Sequence, residues 1–251
     1  MFNQNNTTLV IQGNCYDQWT MPFIEEYKKY FSNIILSTWD DENIHIDGIK
    51  IIKNQYPAIR GTGNVNCQLK SSLIGCQEAK TEFVIKVRSD ILIRDPESWL
   101  KFFSDLWKPN RIFVLGLSTI YLFSPRDQIF AGHRQDMIDM FDIPYINSNY
   151  APTLDVLYPE IHIGARYYSK FSDQMKKFIS DPKSYLLANA PKRHETIDEW
   201  NKIGHEYLYP VPRSLKYSWY KRLTNGEYNY DETAKNYGEY WHEDIIQKLS
   251  E

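Results

Sequence analysis

Apolar residues in the first 120 positions fall into short continuous runs, separated by stretches in which they recur at helical spacing. Thr8-Leu9-Val10-Ile11-Gln12 reads as a buried strand closed by Gly13-Asn14. Trp19 to Phe31 follows as a helix, with Phe23, Ile24, Tyr27 and Phe31 on one face. Asn33 to Trp39 predicts a second strand ending in Asp40-Asp41, and Ile49 to Ile52 a third. Gly61-Thr62-Gly63-Asn64 reads as a loop. Val65, Leu69, Leu73 and Cys76 then mark the inward stripe of a helix. Thr81 to Arg88 predicts a fourth strand, Pro96 to Trp107 a helix and Arg111 to Leu117 a fifth strand. After residue 120 the pattern loosens. A helix is expected within Gln128 to Phe141 and a longer one over Ile161 to Ile179.

Apolar strands alternating with helices imply an α/β fold whose central sheet is mixed but mostly parallel and covered by helices on both faces. The C-terminal part is expected to be less regular. Such sheets bind ligands beyond the carboxyl ends of their strands, which here carry Gln12-Gly13, Thr38-Trp39-Asp40 and Arg88-Ser89-Asp90. There is no GxGxxG and no Walker A sequence, so the standard dinucleotide and P-loop readings fail. The 251 residues are read as one domain, residues 1–120 forming a ligand-binding half and 121–251 a second-substrate half.

Composition narrows the function classes. A net charge of −3 gives no global electrostatic case for nucleic acid. The N-terminus lacks the basic start and apolar run of a secretory signal, and no stretch approaches the ~20 apolar residues of a membrane span. A cytoplasmic setting is expected, with peripheral membrane contact left open. Cys67 and Cys76 fall on one expected helix, roughly 13 Å apart and too far to bridge, so reduced thiols are expected. Aromatic residues make up 15% of the chain. Such rings suit sugar recognition, because an apolar face covers the C–H face of a pyranose, but they equally suit an aromatic core.

The segment Lys86-Val87-Arg88-Ser89-Asp90 carries the most chemistry. A guanidinium at a strand end pairs well with phosphate oxygens, and a strand-end salt bridge between Arg88 and Asp90 is the plainer alternative. With it, Val10-Ile11-Gln12-Gly13, Leu36-Ser37-Thr38-Trp39-Asp40, Asn66-Cys67-Gln68, Asp127 to Gly132 and Pro159-Glu160 resemble, in order, blocks of the WavE-type lipopolysaccharide-synthesis family. Two departures stand out: Pro125-Arg126 separates Ser124 from Asp127, and Ser89 stands where Thr is commoner.

The resemblance implies a glycosyltransferase of the GT-A type, taking a nucleotide-sugar donor and a glycan or lipopolysaccharide-type acceptor. It implies donor contacts from Gln12, Gly13, Thr38, Asp40, Asn66, Gln68, Lys86, Arg88 and Asp90. Asn66 and Gln68 are alternatively helix caps. Asp90 is what remains of an Asp-x-Asp signature, and would hold a divalent cation, Mn²⁺ or Mg²⁺. An inverting transferase needs a carboxylate base. Asp127 is the first candidate and Glu160 its rival, with a helix N-cap as the alternative for Asp127. His205 is a candidate to complete a metal site. Arg213, Lys216, Lys221 and Arg222, interleaved with Tyr217, Trp219 and Tyr220, suit either an anionic substrate or a solvated face. A non-catalytic carbohydrate-binding protein and a sugar nucleotidyltransferase are the competing functions. Against the nucleotidyltransferase, the chain lacks the Gly-rich loop and Lys that such enzymes use after the first strand.

Overall fold

A computed structural model describes residues 1–116, 125–147, 159–181, 184–185, 188, 206–211, 215 and 217–219. The strands among them are β1 (Thr7–Gln12), β2 (Asn33–Trp39), β3 (Lys50–Asn54), β4 (Phe83–Arg88), β5 (Ile91–Ile93), β6 (Ile112–Val114), β7 (Ile129–His133), β8 (Leu208–Pro210) and β9 (Tyr217–Trp219). The helices are α1 (Thr20–Tyr27), α2 (Val65–Glu78), α3 (Pro96–Leu106), α4 (Arg134–Phe141), α5 (Pro159–Tyr168) and α6 (Asp173–Ser180). Seven strands form one sheet in the order β3-β2-β1-β4-β7-β6-β8, and β5 pairs with β9 apart from it. β1, β2, β3 and β4 run parallel, as do β6 and β8, while β7 is antiparallel to both its neighbours.

Side-chain alternation builds two cores from this one sheet. Val10, Ile35, Val84 and Phe130 face α2, α4, α5 and α6. Leu9, Ile11, Ile34, Leu36, Ile85 and Val87 face α1 and α3 on the other side. More of the described aromatic rings lie in the second core than in the first, and there Phe2, Phe83, Phe103 and Phe113 meet stacked, tilted or edge-on. Helix α2 sits close because Gly75 crosses the sheet where a side chain has no room: an added Cβ would lie 2.4 Å from Val10 Cγ1.

Two expectations change. The helix expected within Gln128 to Phe141 is β7 followed by α4, and His133, not Asp127, caps α4 by accepting from the Gln135 N–H. Asp127 lies in the turn before β7, so the N-cap alternative for it falls. The long helix expected over Ile161 to Ile179 is broken into α5 and α6, because Ser172 takes an extended backbone and its hydroxyl accepts from the Met175 N–H. Strand β5 was not anticipated; its three residues follow β4 too closely to register as a separate apolar run. No helix among the described residues is long and apolar enough to cross a membrane.

Candidate active site at the carboxyl edge of the sheet

Beyond the carboxyl ends of β1, β2 and β4 lies a cavity of about 270 Å³. Its lining includes Gln12, Gly13 and Asn14 from the end of β1, Trp39 from β2, Arg88 from β4 and Asp127 from the turn before β7. Gly63, Asn64, Cys67 and Gln68 close it from the start of α2, and Tyr56 and Arg60 from the chain between β3 and α2. The parity of the strands explains the selection. Gln12, Trp39, Lys86 and Arg88 share the sheet face of Val10 and Val84, which is the face α2 covers. Gly13 has φ +122°, and a Cβ there would stand 2.9 Å from Ser89 Oγ, so the β1 and β4 ends approach closely only with glycine.

Arg88 is the centre of the charged cluster. It donates to both Asp90 oxygens, Nε to Oδ1 at 3.0 Å and Nη2 to Oδ2 at 2.7 Å. Its Nη1 stands 3.4 and 3.5 Å from the Asp127 oxygens, contacts too long to commit that carboxylate. The strand-end salt bridge weighed for Arg88 and Asp90 is therefore present, and it aims the guanidinium rather than removing it from the cavity. Burial opposes the charge on Arg88, but Asp127 and Asp90 outweigh it and raise its pKa above the ordinary arginine value.

Lys86 differs from expectation. It is fully buried beneath the cavity, where its Nζ donates to the Asp127 carbonyl at 2.7 Å and stands 5.3 Å from the Phe130 ring centre. It anchors the Asp127 turn and does not reach a donor. Burial pulls its pKa down to about 8, against the attraction of Asp127. Three further candidates are placed off the cavity. Thr38 points to the opposite sheet face and donates to Glu42 Oε2 at 2.8 Å, and the same carboxylate accepts from the Cys15 N–H. Asp40 is exposed, its N–H held by the Asn54 carbonyl. Asn66 is buried and neither caps α2 nor lines the cavity: its amide donates to the Ile59 and Ile146 carbonyls and accepts from the Ile146 N–H.

Gln68 does line the cavity, and its Nε2 is buried with no hydrogen-bond partner. An orphaned buried donor at a cavity wall is costly unless a ligand meets it. Sequence reasoning missed Tyr56 and Arg60. Trp39 stacks on Tyr56 at 4.4 Å and 15°, and the Arg60 guanidinium lies 4.2 Å over the same Tyr56 ring. These residues sit in irregular chain with no periodicity to expose them.

Glu160, at the start of α5, belongs to the same electrostatic neighbourhood. Burial and then the Asp127 charge push its carboxyl up to about 7, with Arg88 and Lys86 pulling the other way. A carboxyl whose folded pKa lies above its unfolded value is most favourable while protonated. Its contribution is therefore complete below about 4.5 and is lost as pH rises towards 7. Glu160→Gln is expected to match the wild type near pH 4.5 and to exceed it at pH 8 by on the order of 2 kcal/mol. Urea unfolding at the two pH values measures this, and a difference that does not change with pH would refute it.

Among the described residues the donor set does not suit a resident divalent cation. Both Asp90 oxygens are taken by Arg88, and no group of three His, Cys, Asp or Glu side chains lies together among the described residues. His133 caps α4 and His162 bonds the Pro144 carbonyl, while His194, His205 and His242 lie outside the described residues. Arg213, Lys216, Tyr220, Lys221 and Arg222 also lie outside them, and Tyr217 and Trp219 are described only as backbone of β9.

No curated protein is matched by the chain. Solved structures to which it is similar include 4-diphosphocytidyl-2C-methyl-D-erythritol synthase from Anaerococcus prevotii, at 11% identity over 67% of this chain and 85% of that one, with a TM-score of 0.39. Mannose-1-phosphate geranyltransferase from Thermus thermophilus is 10% identical over 70% and 65%, with a TM-score of 0.40. HddC from Yersinia pseudotuberculosis is 12% identical over 62% and 85%, with a TM-score of 0.34. These likenesses are distant, and the site rests on its own residues. Residues 9–98, which run from β1 into the first turn of α3 and so hold Gln12, Gln68, Arg88 and Asp90 but neither Asp127 nor Glu160, match the family model described as WavE lipopolysaccharide synthesis.

Proposed function

We propose that this protein is a glycosyltransferase that moves a sugar from a nucleotide diphosphate onto a glycan acceptor. The observation that carries the reading is the imbalance of charge around the cavity. Arg60, Arg88 and the N-terminal end of the 14-residue helix α2 face it, against a single lining carboxylate, Asp127. A helix start and two guanidiniums favour an anion, and a diphosphate leaving group gains negative charge as the glycosidic bond breaks. The Trp39–Tyr56 stack offers an aromatic wall for a nucleobase, and Gln12 and Gln68 offer amides. The match of residues 9–98 to a lipopolysaccharide-synthesis family supports a glycan as the acceptor class.

In this reading the acceptor hydroxyl gives its proton to Asp127 as its oxygen attacks the anomeric carbon. The bond from that carbon to the diphosphate breaks, and the nucleoside diphosphate leaves against Arg88 and Arg60. Attack opposite the leaving group inverts the configuration. Fixed cations supply the positive charge, so chelation is expected to leave turnover largely intact. Complete loss on chelation, restored only by Mn²⁺, would overturn that expectation.

A thermal-shift panel of nucleotide sugars tests the reading first. A ligand at ~100 times its Kd adds about 2.7 kcal/mol of stability. Release of nucleoside diphosphate without acceptor then separates a transferase, which hydrolyses its donor slowly, from a carbohydrate-binding protein, which does not. Release of pyrophosphate from a nucleoside triphosphate and a sugar phosphate would instead indicate nucleotidyl transfer. The chain after β1, Gly13-Asn14-Cys15, has one glycine and no lysine for that chemistry.

A further inference from the structure

Gln68 is a polar side chain on the sheet-facing side of α2. Gly75, seven residues on, packs against β1 and β2, where an added Cβ would meet Val10 Cγ1 and Ser37 Cβ. Positions seven apart share one face of a helix, so Gln68 lies on the same side of α2. A buried chain of hydrogen bonds fixes the register. The Asn54 amide donates to Ser37 Oγ at 3.0 Å, and the Ser37 hydroxyl donates to the Ser71 carbonyl at 2.7 Å. From Gly75 back to Gln68 the helix covers about 10.5 Å. From Val10 to Gln12, its last residue, β1 advances only about 6.6 Å. Gln68 therefore overhangs the strand ends and lines the cavity, 7% exposed and with its Nε2 unpaired.

The same contacts place Gln68 at one end of the cavity. Val10 and Ser37 belong to β1 and β2, so α2 lies over those two strands and Gln68 stands towards Trp39, the last residue of β2. Arg88 ends β4, two strands from β2 and so about 9.6 Å away across the sheet. A diphosphate held by Arg88 leaves the Trp39 side for the base. The fixed charge on that side is positive, from Arg60 over the Tyr56 ring and from the start of α2. The one lining carboxylate, Asp127, is beside Arg88 instead. A base seated against such a wall is best served by carbonyl oxygens.

We propose that Gln68 reads the nucleobase of the donor, and that this base is a pyrimidine with two carbonyls, uracil or thymine. The role rests on the donor reading of the cavity and adds what selects the nucleotide there. The terminal torsion of glutamine is broad, so the carboxamide turns its Nε2 onto a base carbonyl at little cost. Pairing a buried donor that the protein leaves unpaired makes the contact selective. Adenine has no carbonyl and presents an amino group to the same positive wall.

Isothermal titration calorimetry tests this with UDP, dTDP, ADP and inorganic pyrophosphate. The variant is Gln68→Met, whose side chain has nearly the same length and no amide. UDP or dTDP should bind the wild type about tenfold more tightly than ADP, the tighter of the two identifying the base. Gln68→Met should lose that preference and keep its affinity for pyrophosphate. Without ligand it should melt no lower than the wild type, because it removes an unpaired buried donor. A structural role for Gln68 predicts a lower melting temperature and equal loss of all four probes, and that result overturns the proposal. ADP binding as tightly as UDP and dTDP, or a preference that survives in Gln68→Met, overturns it and leaves the donor reading standing. Binding of none of the four overturns both.

Discussion

Arg88→Ala is expected to cut sugar transfer by roughly 10²–10³-fold, the range found when one donor to a developing oxyanion is lost. Two effects act together. The cavity loses one of its two arginines, so the departing diphosphate loses a directed pair of hydrogen-bond donors. The carboxylates of Asp90 and Asp127, only 14% and 10% exposed, also lose the cation between them. Leaving partly buried carboxylates unpaired costs about 2–4 kcal/mol, so urea unfolding must accompany the activity assay. Arg88→Lys separates the effects. A lysine retains the charge but not the planar fork, so it should recover much of the stability and little of the rate. Wild-type turnover in either variant would remove Arg88 from the donor site.

Asp90→Asn gives a smaller and more diagnostic result. If Asp90 aims Arg88, the amide oxygen can still accept one of the two hydrogen bonds, and a reduced but measurable rate is expected. If Asp90 instead held an essential cation, the same change would abolish activity and the response to Mn²⁺ together.

The sheet was readable because its strands are short apolar runs buried on both faces, and β1, β2 and β4 fall where the sequence places them. β7 was not readable. Ile129-Phe130-Ala131 continues into Met137, Met140 and Phe141, and the combined spacing imitates one amphipathic helix. Only the tertiary structure separates them: β7 is inserted between β4 and β6, and an added Cβ at Gly132 would stand only 3.2 Å from Ile112 Cγ1. Among the site residues, the order of the strand ends pointed to Gln12, Gly13, Arg88 and Asp90, but parity decided between Thr38 and Trp39. The structure turns Trp39 towards the cavity and Thr38 away. Lys86 shares the face of Arg88 as alternation requires, yet two residues deeper in the strand it is under the site rather than in it. Tyr56 and Arg60 depend on a stack formed across the fold, and no local pattern records it.

Asp127→Asn is expected to cut the catalytic rate by roughly 10²–10⁴-fold, the range for a lost general base. Donor affinity should change little, because the base acts on the acceptor hydroxyl. With the N-cap alternative gone, the remaining competitor is an Asp127 that serves only as counter-charge to Arg88. That role predicts a modest change, because Asp90 already holds the guanidinium through two shorter hydrogen bonds. The substitution also reports on Glu160. The Asp127 charge is one of the two causes that raise the Glu160 carboxyl to about 7, so removing it should move that titration to lower pH. If Asp127 is the base, Asp127→Asn is slow at every pH and Glu160→Gln retains activity. If Glu160 is the base, Glu160→Gln is the inactive variant, and Asp127→Asn stays active with the acid limb of its pH–rate profile displaced downward. Measuring both variants across pH 5 to 9 assigns the proton to one carboxyl, and full activity in both would exclude a carboxylate base at this edge of the sheet.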